Sequence, residues 1–289
     1  MNSFAVITDS ASDLPKEYLE SHDLKVAPLY YIIDNKTYGG ETELDPKEFY
    51  SMMRSGKMPT TQAVNPETAR ELMKAELDAG RDVLYLAFSS GLSSSCQSAA
   101  LVGNELKEEY PDRKIVVIDT LCASLGQGLL VHKALEMREK GMSVDETAEG
   151  VRELVPHLCH QFTVNDLFHL HRGGRVSKAT AILGTMVNVK PVMHVDDEGH
   201  LVPVGTVRGR KRSLNALVDN MEKKTKNYAY KNDCVFISHG DCLEDAQYVA
   251  EQIKSRFGID KALIGYVSPT IGAHSGPGTL ALFFVGESR

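Results

Sequence analysis

The sequence predicts an α/β fold: a parallel-sheet N-terminal domain over residues 1–160, then an α+β domain over residues 161–289. Three observations lead there. Short apolar runs alternate with capped helical patterns through the first half, as a parallel sheet with crossover helices requires. Small polar turns follow the apolar runs at Thr8, Phe88 and Ile118, where an open α/β sheet places its ligands. The second half instead sets two extended segments around a tight polar turn, the mark of an antiparallel hairpin. No Pro/Ser/Gly-rich linker marks the boundary near residue 160, so tight packing of the two domains is expected.

Residues 4–8 read as a buried strand that empties into Asp9-Ser10-Ala11-Ser12-Asp13, and Pro15 suits the first turn of the helix that follows. Residues 24–33 form a second extended segment. Asp45, Pro46 and Glu48 combine an acidic N-cap, a first-turn proline and an acidic third position, with Gly56 as the stop. Asn65 and Pro66 repeat that start, and Gly80 closes the helix. Residues 83–88 are a continuous apolar run, and the serine-rich turn 89–95 leads into a helix over about 97–110. Residues 115–118 give another strand and 124–140 another helix, stopped by Gly141. Ser143 and Glu146 then form a capping box for a helix to about residue 158. Beyond the boundary, 189–195 and 201–207 flank Asp196-Asp197-Glu198-Gly199 as a hairpin. Helices at about 211–226 and 243–257 interleave with strands at 234–238, 262–267 and 280–285.

Composition narrows the function. With 42% hydrophobic residues, 23 glycines and 11 prolines in 289 residues, the chain is no low-complexity polymer. A net charge of -7 argues against wholesale coating of nucleic acid or anionic membrane. The five cysteines form no CxxC pair and are odd in number, so reduced thiols are expected. Residues 4–7 are too short a run for a signal-peptide core, and nothing approaches the ~18 apolar residues of a membrane span. No membrane span and a cytoplasmic location are therefore expected.

The turns after the strands lack both the phosphate-loop and the dinucleotide glycine patterns. They offer hydroxyls instead: Ser89, Ser90, Ser93, Ser94 and Ser95 at one helix start, Thr60 and Thr61 on the approach to another. Hydroxyls beside free helix N–H groups suit a carboxylate or phosphate, while N-capping needs only one serine; both readings stay open. The segment 269–278 reads as a constrained loop of three glycines and two prolines around His274, a candidate anion contact. In His171-Arg172-Gly173-Gly174-Arg175-Val176-Ser177, the glycines either let backbone approach a ligand or end one helix before Ser177 caps the next. Residues 208–231 carry eight Lys and Arg against Asp219 and Glu222. Solvated charge explains the lysines from Lys223 onward, whereas Arg208, at a predicted strand end, is the better anion candidate. His157, Cys159, His160, His169 and His171 match neither HExxH nor a zinc-finger spacing, so no metal site is expected. Gly91-Leu92-Ser93-Ser94-Ser95 misses the second glycine of a Gly-x-Ser-x-Gly elbow. A serine hydrolase using His274 and an aspartate such as Asp119 is thus one alternative, and a nucleic-acid-binding module through 208–231 another.

Read in order, several strings resemble the DegV family, whose members bind fatty acids and include the carrier subunits of bacterial fatty-acid kinase. They are Ile7-Thr8-Asp9-Ser10 with Asp13-Leu14-Pro15, Pro59-Thr60-Thr61, Ser89-Ser90-Gly91-Leu92-Ser93 with Gln97-Ser98, and Asp119-Thr120. Gly173-Gly174-Arg175-Val176-Ser177, Lys190-Pro191, Arg208 and Gly272-Ala273-His274-Ser275-Gly276-Pro277-Gly278 complete the set, which spans essentially the whole chain. The resemblance implies one long acyl chain in a tunnel between the two domains, with the carboxylate bound by Thr61 and Ser93 and His274 nearby. Ser94 belongs to the same hydroxyl turn, and Arg175 and Arg208 are additions for the carboxyl or its phosphorylated form. It further implies a long-chain fatty acid as ligand, no cofactor, no catalysis by the chain itself, and a separate kinase subunit as partner. One departure is Gln62-Ala63-Val64, where family members usually show Ser-Gln-Pro. Burial of roughly 14 methylenes supplies about 11 kcal/mol, enough to offset the lost freedom of such a ligand. Met52, Met53, Met58 and Met186 either line the tunnel or are plain core.

Overall fold

The computed structural model describes residues 4–182 and 188–289. Four parallel strands form one sheet in the order β2 (Lys25–Ala27), β1 (Phe4–Asp9), β6 (Asp82–Ala87), β7 (Ile115–Asp119). A second, six-stranded sheet runs β10 (Leu201–Arg208), β9 (Val189–Val195), β8 (Leu158–Thr163), β13 (Leu280–Val285), β11 (Cys234–His239), β12 (Lys261–Tyr266). All its pairings are antiparallel except β11 with β12. A small antiparallel sheet of β4 (Lys36–Tyr38), β3 (Tyr30–Ile33) and β5 (Thr60–Gln62) lies beside them. The expected mixed fold, a parallel sheet plus a second sheet domain, is what the chain adopts.

The helices are α1 (Lys16–Ser21), α2 (Pro46–Arg54), α3 (Pro66–Asp78), α4 (Ser95–Glu109), α5 (Leu125–Glu139) and α6 (Val144–Leu154). They continue with α7 (Phe168–Arg172), α8 (Lys178–Ile182), α9 (Arg210–Thr225), α10 (Leu243–Phe257) and α11 (Pro269–Ser275). Their starts follow local chemistry. Asp45 accepts from the N–H groups of Lys47 and Glu48 at 2.9 and 3.3 Å, Asn65 from Glu67 at 2.9 Å, and Ser143 with Glu146 makes the reciprocal capping box. No described helix is long and apolar enough to cross a membrane.

Helix α5 decides where everything else sits, because it lies between the two large sheets and is apolar around much of its circumference. Leu125, Leu129, Leu130 and Val131 pack into one core with Phe4, Val6, Leu84 and Leu86 of the parallel sheet and Phe162, Phe236 and Phe283 of the other. Truncating such a residue to alanine costs about 2–5 kcal/mol. Gly126 lets the helix approach this closely, since a Cβ there would fall on the His160 ring and within 2.8 Å of Phe283. Gln127, fully buried, donates to Thr8 Oγ1 and Asp9 Oδ1, both at 3.0 Å, and so ties α5 to the end of β1.

Three sequence expectations change. The helix after Ser143 ends at Leu154, and residues 158–163 form β8 in the sheet interior; Leu-Cys-His-Gln-Phe-Thr is buried throughout and shows neither alternation nor an apolar run. The single extended segment 24–33 is two strands, β2 and β3, in different sheets, parted at Pro28 and Leu29. Residues 269–275 are helix α11, with Pro269 in its first turn, rather than part of a loop. The expected hairpin is present as β9 and β10, irregular between Pro203 and Gly205. Its turn reaches back to the first sheet, where Ser89 Oγ donates to the Gly199 carbonyl at 2.9 Å.

Candidate ligand-binding cavity

The serine-rich turn after β6, the inner face of the six-stranded sheet and helix α11 enclose a cavity of about 280 Å³. Leu29, Phe88, Leu92, Phe162, Leu170, Val195, Leu201, Val267, Ile271, Ala281 and Phe283 make most of its wall apolar. Among the described residues no aspartate or glutamate lines it. Of the methionines, Met53 is core packed with Phe49 and Tyr50, Met52 and Met58 do not line the cavity, and Met186 lies outside the described residues.

Thr61, Ser93, Ser94, Arg175 and His274, all expected from the sequence, line this one cavity. Strand pairing with Tyr31 places Thr61, whose Oγ1 is 2.8 Å from His274 Nε2. Burial pushes the His274 imidazole down to about 3, and the Arg175 and Arg172 charges push the same way, so the ring is neutral. Its Nδ1 is buried without a hydrogen-bond partner. The Gly-Gly pair explains how the ring fits: Gly173 caps α7, donating to the His169 carbonyl at 2.9 Å, and a Cβ on it would clash at 2.0 Å with His274 Nδ1. The glycine admits the histidine rather than a ligand. Ser177 accepts from Thr180 N at 3.1 Å and caps the next helix.

Arg175 donates through Nε and Nη2 to the Leu92 carbonyl at 3.1 and 3.0 Å and through Nη1 to Gly173, so the guanidinium bridges the serine turn and the glycine turn. Ser93 Oγ lies 2.9 Å from Ser95 Oγ, which accepts from Val64 N at 3.1 Å. Ser95 is thus committed to the loop behind Thr61, while Ser93 and Ser94 remain at the cavity wall. Asp119 accepts from Ser90 N and Leu121 N at 3.2 and 3.0 Å and shapes the turns. Histidine 274 is bonded to a threonine and Ser93 to a serine, so the Ser-His pairing of a hydrolase triad is not formed among these groups.

Arg208 is the expected residue that the structure keeps apart. It ends β10 opposite Val189, is exposed, and does not line the cavity. The rest of its basic stretch also lies outside the cavity: half-buried Arg210 pairs with Asp245 at 2.8 Å and exposed Lys211 lies 5.4 Å from the Tyr248 ring centre. Among the described residues no group of three or more His, Cys, Asp or Glu is placed to hold a metal ion.

Sequence reasoning missed a second polar set on the cavity wall. Ser124, Ser238 and His160 line it, and Ser124 Oγ contacts Asp13 Oδ2 and, at 2.8 Å, Ser238 Oγ. Burial pushes the Asp13 carboxyl up to about 7 and, at the end of β1, that of Asp9 up to about 6, while the hydrogen bonds each accepts act the other way. Burial pushes His160 down to about 3; its Nε2 accepts from Ala123 N at 3.2 Å. Ser275, which follows His274 in the sequence, has an Oγ buried without a partner and also lines the cavity. None of these carried a local pattern that could have singled it out.

Fold and cavity together define a mixed α/β protein built around a mostly apolar internal chamber with polar groups gathered at particular points. The chain belongs to the DegV family: the profile described as uncharacterised protein, DegV family, matches residues 3–287. A DegV domain-containing protein of Clostridium perfringens is 42% identical over 100% of this chain and 99% of its own length. Among solved structures, a fatty-acid-binding DegV family protein from Thermus thermophilus is 29% identical with a TM-score of 0.87, covering 98% of this chain and 99% of that one. A stearic acid-binding protein from Eubacterium ventriosum is 25% identical with a TM-score of 0.90, covering 98% of each chain.

Proposed function

We propose that the chain binds one long-chain fatty acid in this cavity and presents its carboxylate to a separate ATP-dependent kinase. The observation that carries this reading is the meeting of Thr61, Ser93, Ser94, Arg175 and His274 at one part of a mostly apolar chamber whose described lining holds no aspartate or glutamate. A buried carboxylate requires a nearby cation and hydrogen-bond donors, and these side chains supply both. The apolar wall takes the tail, running as a tunnel between lobes that we place at residues 1–160 and 161–289. All described strands of the parallel sheet precede residue 120 and all described strands of the six-stranded sheet follow residue 157, which supports a division near that point, ahead of β8 rather than within it. The fatty-acid-binding relatives point the same way.

In this reading the carrier does no chemistry itself and needs no cofactor. The kinase transfers the terminal phosphoryl group of ATP to a carboxylate oxygen, forming the acyl phosphate and ADP. The absence of either familiar nucleotide pattern from the turns motivates the division of labour, and a cytoplasmic location fits it. Arg208 and the surface cations of 208–231 lie outside the chamber, which suits contact with the partner or with the phosphorylated head. Native mass spectrometry of freshly purified protein, followed by organic extraction, tests the central claim. A long-chain acid in the extract is expected; an extract without one, together with no uptake of added fatty acid, overturns it.

A further inference from the structure

The proposed carboxylate cluster leaves Ser124 and Ser238 unused, although both face the same chamber. They come from other elements, the N-cap of α5 and the C-terminal end of β11, and no hydrogen bond joins them to Thr61, Ser93, Arg175 or His274. Both are sequestered, at 5% and 0% exposure. Ser124 holds an unusual backbone, φ 56 and ψ −149, close to a region otherwise reserved for glycine, so its hydroxyl is kept in place at a conformational cost.

We propose that the chamber accepts an acyl chain carrying a hydroxyl group, held at the Ser238–Ser124 pair while the carboxylate sits at the other cluster; this rests on the fatty-acid reading. The hydrogen bonds run as a relay in which Ser238 and Ser124 lead to Asp13. One end of the relay is fixed by the aspartate, and at the other Ser238, which lines the chamber, has a hydroxyl able to make a further hydrogen bond. His160 does not compete for the ligand. Its Nε2 accepts from Ala123 N and its Nδ1 lies 3.4 Å from the Leu158 carbonyl, so both nitrogens face the protein's own backbone. A hydroxyl both donates and accepts, and therefore matches the serine pair in whichever sense the relay runs. Placed against the apolar wall instead, the same hydroxyl loses its water without replacement.

Titration calorimetry on the delipidated full chain, with stearic acid and a positional series of monohydroxystearic acids, tests this. One position should bind within about threefold of stearic acid, and the others should be weaker by about tenfold or more. Ser238→Ala should weaken the favoured acid by about tenfold and leave stearic acid within about twofold, and Ser238→Cys, which conserves volume, should repeat that selectivity. An equal loss at every hydroxyl position, or equal weakening of stearic acid by both variants, overturns the inference and leaves the carrier reading intact. Failure of stearic acid and every hydroxy acid to bind overturns both.

Discussion

Thr61, Ser93, Ser94, Arg175 and His274 form one polar set at the cavity; Ser124, Ser238 and His160, backed by Asp13, form another. The first contains a guanidinium, hydroxyls and a neutral imidazole, with no carboxylate among them. The second is anchored on an aspartate whose burial pushes its carboxyl up to about 7. An anion gains at the first and meets a second acid near the other, so the two sets give the chamber an electrical direction as well as a shape. Hydroxyl content alone does not separate them; the charge standing behind the hydroxyls does.

The largest expected effect on this contrast comes from Gly173→Val, which forces His274 off Thr61. Overpacking of about 1–3 kcal/mol should lower the melting temperature and weaken fatty-acid binding by about tenfold to a hundredfold, as read by calorimetry. Unchanged affinity would mean that the imidazole position is irrelevant to the head group. Arg175→Met comes next: losing a charged hydrogen-bonding partner should cost a fatty acid about 2 kcal/mol of binding, and the matching fatty alcohol much less. Thr61→Ala and Ser93→Ala should each cost the acid about 1 kcal/mol, again with the alcohol spared; equal losses for both ligands would remove these hydroxyls from the carboxylate site.

The second set is sharpened through pH. Asp13 has a folded value of about 7 against 3.8, so its contribution to stability is fully present below about 3.8 and is lost as pH rises through 7. His274 and His160, at about 3 against 6.5, act in the opposite sense: their contribution is present above 6.5 and is lost as pH falls towards 3. Asp13→Asn removes only the first. Its melting temperature should therefore fall further behind the parent's at pH 5 than at pH 8, and parallel profiles would refute the assignment. The smallest effect belongs to Arg208→Ala, which should leave fatty-acid affinity within about twofold because the side chain is exposed and outside the chamber.

Where the signal was local, the sequence was legible. Asp45-Pro46 and the Ser143/Glu146 box mark helix starts because a cap is satisfied by neighbours within one turn. Strand β8 was not legible, since its six residues are specified by β13 and β9, more than a hundred and about thirty positions away, and not by their own pattern. Helix α11 was hidden by Pro269, Gly272 and the Gly276-Pro277-Gly278 turn that follows it, which read as a loop until Phe49 and Tyr50 of α2 are packed against it. At the cavity, Thr61, Ser93 and His274 stood out because they fall in an ordered series of strings. Ser124 and Ser238 lie in ordinary helix-start and strand contexts and meet only through the tertiary fold.

Strand β13 lies between β8 and β11 in the six-stranded sheet yet follows both in the chain. During synthesis the sheet must therefore wait in two unjoined halves until translation has passed residue 285, leaving β8 and β11 with open hydrogen-bonding borders. Ala281 and Phe283, which wall the chamber, are added at that same moment. Completion of the chamber is thus coupled to the late insertion of a single strand, and a ribosome stalled short of it holds a nascent chain with no finished compartment and with two exposed edges for chaperones to guard.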